Sequence, residues 1–228
     1  MSISIGEGVW WVNLTGVNAY VVDDDGVLTL VDAGFPWSTR ALTTALGKIG
    51  RTVGDIERVL VTHYDIDHVG SLGHLDGLEA TVYVGRQDAP FVSRQKLPSL
   101  SSQKGVFQRA VDWMRPACDL PVEPIEDGDT VGNFTAHHTP GHTRGHTVFT
   151  NETHSAAFLG DLVVEYGGRL VPTPWFICED YGWNVETLCG FAEGIPPFDI
   201  AAQGHGVPSV DGGDQRLREC ANRLSTRT

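Results

Sequence analysis

The 228-residue chain is short of cysteine and lysine and has no long apolar run, and each shortage removes a class of protein. Its four cysteines, Cys118, Cys178, Cys189 and Cys220, lie far apart and form no CxxC pair. That excludes a cysteine-zinc framework and a disulfide scaffold, and the four read as buried free thiols. No stretch approaches the ~20 apolar residues that cross a bilayer. The N-terminal MSISIGEGVWWVNLTG has neither the basic residue nor the apolar core of a signal peptide, so a cytoplasmic protein is expected. Lysine occurs only at Lys48, Lys96 and Lys104, against thirteen arginines and 29 acidic residues, and the net charge is −13. Nucleic acid and anionic membranes are bound by basic surface, so neither is an expected partner; a small molecule is. The Asp-rich, Lys-poor balance resembles the surface of proteins from salt-loving organisms, where dense carboxylates stay hydrated and salt screens their repulsion.

What is present is an α/β rhythm in one domain over residues 1–228. VWWVNL, AYVV and VLTLVD read as short strands, the last two separated by the turn-prone DDDG. PWSTRALTTALGKIG reads as a helix, with Pro36 and Ser38 as start signals and Gly50 as the stop. The strand IERVLVT, a short helix through HVGSLGHL and the strand ATVYVG follow. At about 86–117 the rhythm breaks: Phe107, Ala110, Val111 and Met114 recur at helical spacing around the loop LPSLSSQKG. This helical insertion is read either as a cover over the sheet or as a substrate lid. Strands resume with DTV, FTAHHT, TVFT and SAAFLGD, followed by a helix through WNVETLCGFAEGI, the strand FDIAAQG and a helix through DQRLRECANRL.

Chemistry-bearing residues fall at strand ends. Asp32 closes VLTLVD; His63, Asp65, Asp67 and His68 follow ERVLV; His142 and His146 follow FTAHHT; Asp161 closes AAFLGD; His205 follows FDIAA. In an α/β architecture such loops collect function. Imidazole and carboxylate are ligands for zinc and other first-row divalent ions. Ligands at i, i+2, i+4 and i+5 of one loop cannot all aim at a single ion, because extended geometry alternates their directions. Two adjacent metals are the reading, of the kind that sit about 3.5–4 Å apart around a bridging carboxylate.

The motifs VDAG, THYDIDH, PGHTRGH, GD and GH, in that order over about 17–207, resemble the metallo-β-lactamase superfamily. The resemblance implies a four-layer αββα sandwich, two mixed sheets flanked by helices. It implies His63, Asp65 and His142 at metal 1, Asp67, His68 and His205 at metal 2, and Asp161 bridging. Asp32 matches a buried aspartate that orients the ligand loop, and His146 is read as a brace rather than a ligand. One departure stands out: the usual H-x-H-x-D-H is here H-x-D-x-D-H. Asp65 adds a negative charge to metal 1, which makes bound water less acidic and favours harder ions such as Fe or Mn, with zinc still the first expectation. The implied chemistry is hydrolysis by a hydroxide held at a dinuclear centre, with Asp67 orienting it and sharing in proton transfer. Tyr166, five residues past Asp161, is read either as a donor to the oxyanion or as a packing residue. Ester, thioester or lactone substrates suit the apolar residues of the insertion. An iron-dependent oxidoreductase and a non-catalytic metal-binding relative are the alternatives.

Overall fold

A computed structural model describes residues 2–98, 103–114 and 119–225. Seven strands form the first sheet in chain order: β1 (Ser2–Gly6), β2 (Val9–Asn13), β3 (Asn18–Asp24), β4 (Val27–Val31), β5 (Ile56–Val61), β6 (Thr81–Gly85) and β7 (Val122–Ile125). The first four are antiparallel, and β4 to β7 pair in parallel. The second sheet contains β8 (Thr130–Val131), β9 (Phe134–His138), β10 (Thr147–Asn151), β11 (Ala156–Gly160) and β14 (Ile200–Gln203) in the order β14-β11-β10-β9-β8. β12 (Val163–Tyr166) and β13 (Arg169–Pro172) make a separate hairpin. The helices are α1 (Thr39–Lys48), α2 (Ile66–Val69), α3 (Ala89–Val92), α4 (Gln103–Val111), α5 (Tyr181–Gly194) and α6 (Gly213–Ser225).

The period-2 alternation of the strands builds three apolar interfaces, the number that four layers require. Val21, Leu30, Val59 and Val61 face α1, where Leu42, Ala45 and Leu46 are buried against them. Their neighbours Val22, Val31 and Leu60 point the other way and meet Phe134, Phe149 and Phe158 of the second sheet. Ala157 and Leu159 turn outward again, onto Leu188 and Ala192 of α5 and Leu217 of α6. The αββα architecture expected from the resemblance is therefore the observed one.

Polar ties hold the sheets in register. Asn18 donates through Nδ2 to the carbonyls of Gln203 and Gly206 at 3.0 and 2.8 Å, and the Tyr20 hydroxyl donates to Gln203 at 2.7 Å. Across the other end, buried Asp24 accepts from Arg58 at 2.7 Å and from Asn151 at 3.2 Å.

Four strands differ from the sequence reading, which does not include them. β7 contains Pro124, which argues against a central strand; it lies at the sheet edge, where a missing N–H costs no ladder bond. β1 lacks a fully buried face. The β12–β13 hairpin turns on Gly167 and Gly168, both at positive φ, a signal that lay in the sequence. Of the insertion, α3 and α4 are described; 99–102 and 115–118, with Cys118, lie outside the described residues. Cys178 and Cys220 are buried free thiols, and Cys189 is a half-buried one.

Candidate metal centre

Strand ends deliver the polar residues to one place. β5 ends at Val61 and runs into Thr62, His63 and Asp65; α2 then begins at once, so Asp67 and His68 turn away from the extended stretch before them. β9 and β10 frame the loop that carries His142 and His146, β11 ends beside Asp161, and β14 ends beside Gly204 and His205. The backbone at Thr147 donates to Thr62 at 2.8 Å, which ties the His63 loop to the second sheet.

Two ligand groups result. His63, His142 and Asp161 present donor atoms within 4.8 Å of one another, and so do Asp67, His68 and His205. Asp161 lies between them: one oxygen is 3.5 Å from His68 Nε2, and the other is 3.6 Å from His142 Nε2 and 3.3 Å from His205 Nε2. Asp65 Oδ2 is 3.1 Å from His142 Nε2 and 3.5 Å from His63 Nε2. All seven residues expected as ligands thus converge.

The imidazoles are oriented from behind. Asp32 Oδ2 faces His68 Nδ1 at 2.8 Å and also accepts from the Thr62 hydroxyl at 2.8 Å, while Oδ1 accepts from the Thr62 amide at 2.9 Å. Asp32 pays for this with φ of 56°, a conformation uncommon outside glycine, and its three bonds hold it there. His63 Nδ1 is 3.0 Å from the Thr62 hydroxyl and His205 Nδ1 is 2.6 Å from the Gly16 carbonyl. Each Nδ1 is thereby engaged, and each Nε2 is left facing inward. His146 has a different role: its Nε2 accepts from the Asp161 amide at 3.0 Å and its Nδ1 meets Thr139 Oγ1 at 2.8 Å. It braces the Asp161 turn.

These residues fit divalent ions. His68 Nε2, Asp65 Oδ1 and Asp161 Oδ1 are buried without a hydrogen-bond partner, and an orphaned polar atom there is costly unless it meets a cation or a donor. The field also favours positive charge. His205 is pushed up to about 12, first by Asp161. His68 rises to about 9 because Asp32, Asp161 and Asp67 outweigh its burial. His63, by contrast, is held well below the ordinary imidazole value by burial and by His68. A metal ion satisfies the same field and leaves the imidazoles neutral. Gly204 makes room: a Cβ there would collide with Asp161 Oδ1.

Tyr166 is 79% exposed and lines a depression with Arg169, Tyr181 and Arg223, a lining that includes none of the seven expected ligands. Side chains alternate along β12, and it is Glu165 that reaches Val207 beside His205.

Two residues escaped the sequence reading. Buried Asp88 accepts from the Thr143 hydroxyl at 2.6 Å, the Gly145 amide at 2.9 Å and the Tyr64 amide at 3.2 Å, so it fastens the His63 loop to the His142 loop. Burial pushes its carboxyl up to about 7. It too follows a strand end, that of β6, but the reading of 86–117 as an insertion hid it. The second is Lys104, on α4. Its Nζ lies 2.8 Å from His142 Nε2, 2.8 Å from the His142 carbonyl and 2.9 Å from Asp65 Oδ2. The side chain is 3% exposed. The Asp65 carboxylate stays well below its usual range: burial opposes the charge, but Lys104 and His63 outweigh it.

Comparison with known proteins agrees with this geometry. The sequence pattern described as the metallo-beta-lactamase superfamily matches residues 12–207. The chain belongs to the metallo-β-lactamase superfamily. It is 28% identical to the uncharacterized protein YobT of Bacillus subtilis over 182 residues, 75% of this chain and 74% of that one. The superfamily fold is also shared with metallo-β-lactamase SMB-1, at a TM-score of 0.73 and 23% identity, covering 99% of this chain and 95% of that one. TTHA1623, solved in a di-iron-bound form, matches at a TM-score of 0.66 and 25% identity, covering 88% and 93%. Superfamily members are mostly hydrolases, and their fold binds divalent metals through His and Asp clusters of this kind. No helix among the described residues is long and apolar enough to cross a membrane.

Proposed function

We propose that this superfamily member is a metal-dependent hydrolase of a small ester, thioester or lactone, with a dinuclear ligand set and zinc as the first choice of metal. The observation that carries the reading is the convergence of four imidazole Nε2 atoms and three carboxylates in two adjoining groups with Asp161 between them, each imidazole except His142 oriented by a partner on its far side. Divalent ions held there supply Lewis acidity and acidify water at neutral pH.

The chain's own residues define the rest. His63, His68, His142 and Asp161 are buried, whereas the side chains of Asp67 and His205 are 20% and 27% exposed. Substrate therefore approaches on the Asp67–His205 side, and Asp67 is the carboxylate placed to hold and move a proton near it. Exposed Trp175 and Phe176 lie on a short helical turn packed against α4, which itself exposes Val106 and Phe107. That apolar surface suits an acyl chain or lactone, and it gives α4 the placement of a lid over the site. The net charge of −13 disfavours polyanionic substrates.

The test is a panel of p-nitrophenyl esters, acyl thioesters, lactones and phosphodiesters, run with zinc-, iron- and manganese-loaded protein and after removal of the ion by a chelator. Hydrolysis of the carboxylic substrates that disappears with the metal supports the proposal. A metal-replete protein inert to the whole panel overturns it. A second reading, an iron-dependent oxidoreductase, draws on the oxygen-rich donor set that Asp65 creates; oxygen consumption by the iron-loaded protein would favour it.

A further inference from the structure

The metal 1 position already has a cation beside it. Lys104 Nζ sits within 2.9 Å of both Asp65 Oδ2 and His142 Nε2, two of the atoms that would face an ion there. It is anchored by a third contact, to the His142 carbonyl at 2.8 Å, and its side chain is 3% exposed. No ammonium approaches the Asp67–His68–His205 group among the described contacts; there the neighbours are carboxylates.

The geometry points to Lys104 as a resident cation of the metal 1 position, so that the site fills in two unequal steps. This rests on the metallohydrolase reading and adds an order to it. The first ion enters at Asp67, His68 and His205. The second competes with the ammonium for Asp65 and His142, and it enters only when Lys104 withdraws, which displaces the N-terminal end of α4. Asp65 then has a reason to be an aspartate: an imidazole could not balance the buried ammonium, and a carboxylate does. α4 also places Gln108 Oε1 against the Ile66 amide at 3.3 Å, so movement of this helix is felt at the ligand loop. The helix that lies over the site is thereby coupled to how many ions the site holds.

The experiment uses the metal-free full chain titrated with Zn²⁺ against a competing chelator, with stoichiometry read by elemental analysis. In the unaltered protein the second ion should bind on the order of 100-fold more weakly than the first, the loss of one or two charge-assisted hydrogen bonds. In Lys104→Met the gap should shrink by at least about tenfold. A second measurement needs no variant: acylation of lysines by an activated acetate ester, read by mass spectrometry, with Lys48 and Lys96 as internal references. Lys104 should stay protected through the first equivalent of zinc and become labelled as the second binds. Equal affinities for the two ions, an unchanged gap in Lys104→Met, or labelling of Lys104 that ignores zinc would each overturn the proposal and leave the hydrolase reading intact. Failure to bind any ion would overturn both. Two bound ions without hydrolysis would count against the hydrolase reading alone.

Discussion

The two ligand groups are built from the same residue types but differ in what surrounds them. The Asp67–His68–His205 group is supported by the rigid frame: Asp32 behind His68, the Gly16 carbonyl behind His205, and, among the described residues, no ion pair from the insertion. The His63–Asp65–His142 group is open to the insertion, and α4 presses a lysine into it. His68 is held at about 9 by three carboxylates, whereas His63 is held well below the ordinary imidazole value. One half of the centre is thus strongly cation-attracting, and the other is partly neutralised by the protein itself. On the proposed reading, such a site would separate capture of the first ion from entry of the second.

The comparison breaks most sharply at the residue shared by both halves. Asp161→Ala removes a carboxylate within 3.6 Å of His68, His142 and His205, and should empty both positions and lower hydrolysis by at least about 1000-fold. His68→Ala should empty the second position first, since that half has no lysine to compensate. Metal content and turnover measured together would check both. Two ions and full activity retained in either variant would defeat the assignment.

Asp88→Ala tests whether the two loops depend on a common brace. It strips partners from the Thr143 hydroxyl and from the amides of Gly145 and Tyr64, all buried, and should cost about 3 kcal/mol in denaturant unfolding. Both loops that supply the lysine-bearing half hang on Asp88, so zinc affinity there should fall more than at Asp67, His68 and His205. Equal losses in the two halves would mean that Asp88 only stabilises the fold.

Asp65→His sharpens the comparison by restoring the more usual ligand. It removes the carboxylate that balances Lys104, leaves the ammonium beside three imidazoles, and should raise affinity for the second ion by about tenfold. Tight binding of two ions by the variant, with the unaltered chain binding one tightly, would make the two halves alike.

The candidate ligands are legible because each lies just past an apolar strand, and such strands are recognised by period-2 alternation. The order of those strand ends then carried both the family and the fold. Lys104 was not legible. It lies 36 residues beyond His68, within an amphipathic segment whose Phe107, Ala110 and Val111 signalled only a helix. Nothing in a local pattern tells which way such a helix points its polar face. Tyr166 shows the converse: proximity in sequence to Asp161 does not fix which way the side chain points, because a hairpin of four-residue strands turns alternate side chains to opposite sides. Asp88 obeys the strand-end rule, but the break in rhythm that marks the insertion begins at about 86 and masks that signal.

The smallest effect concerns the surface that neither half uses. Lys104 is buried, so the exposed lysines are Lys48 and Lys96, set against a net charge of −13. Carboxylates at this density repel one another, and at molar salt the screening length falls to about 3 Å. Raising KCl from low to molar concentration should therefore increase the melting temperature, by about 2–4 °C if the relief amounts to ~1 kcal/mol. The buried Asp65–Lys104 pair is screened much less than surface charges. The same salt should then stabilise the fold while leaving the ratio of first to second zinc affinity nearly unchanged, read by repeating the chelator titration in KCl. A ratio that collapses with salt would place the lysine in solvent contact and erase the distinction between the two halves.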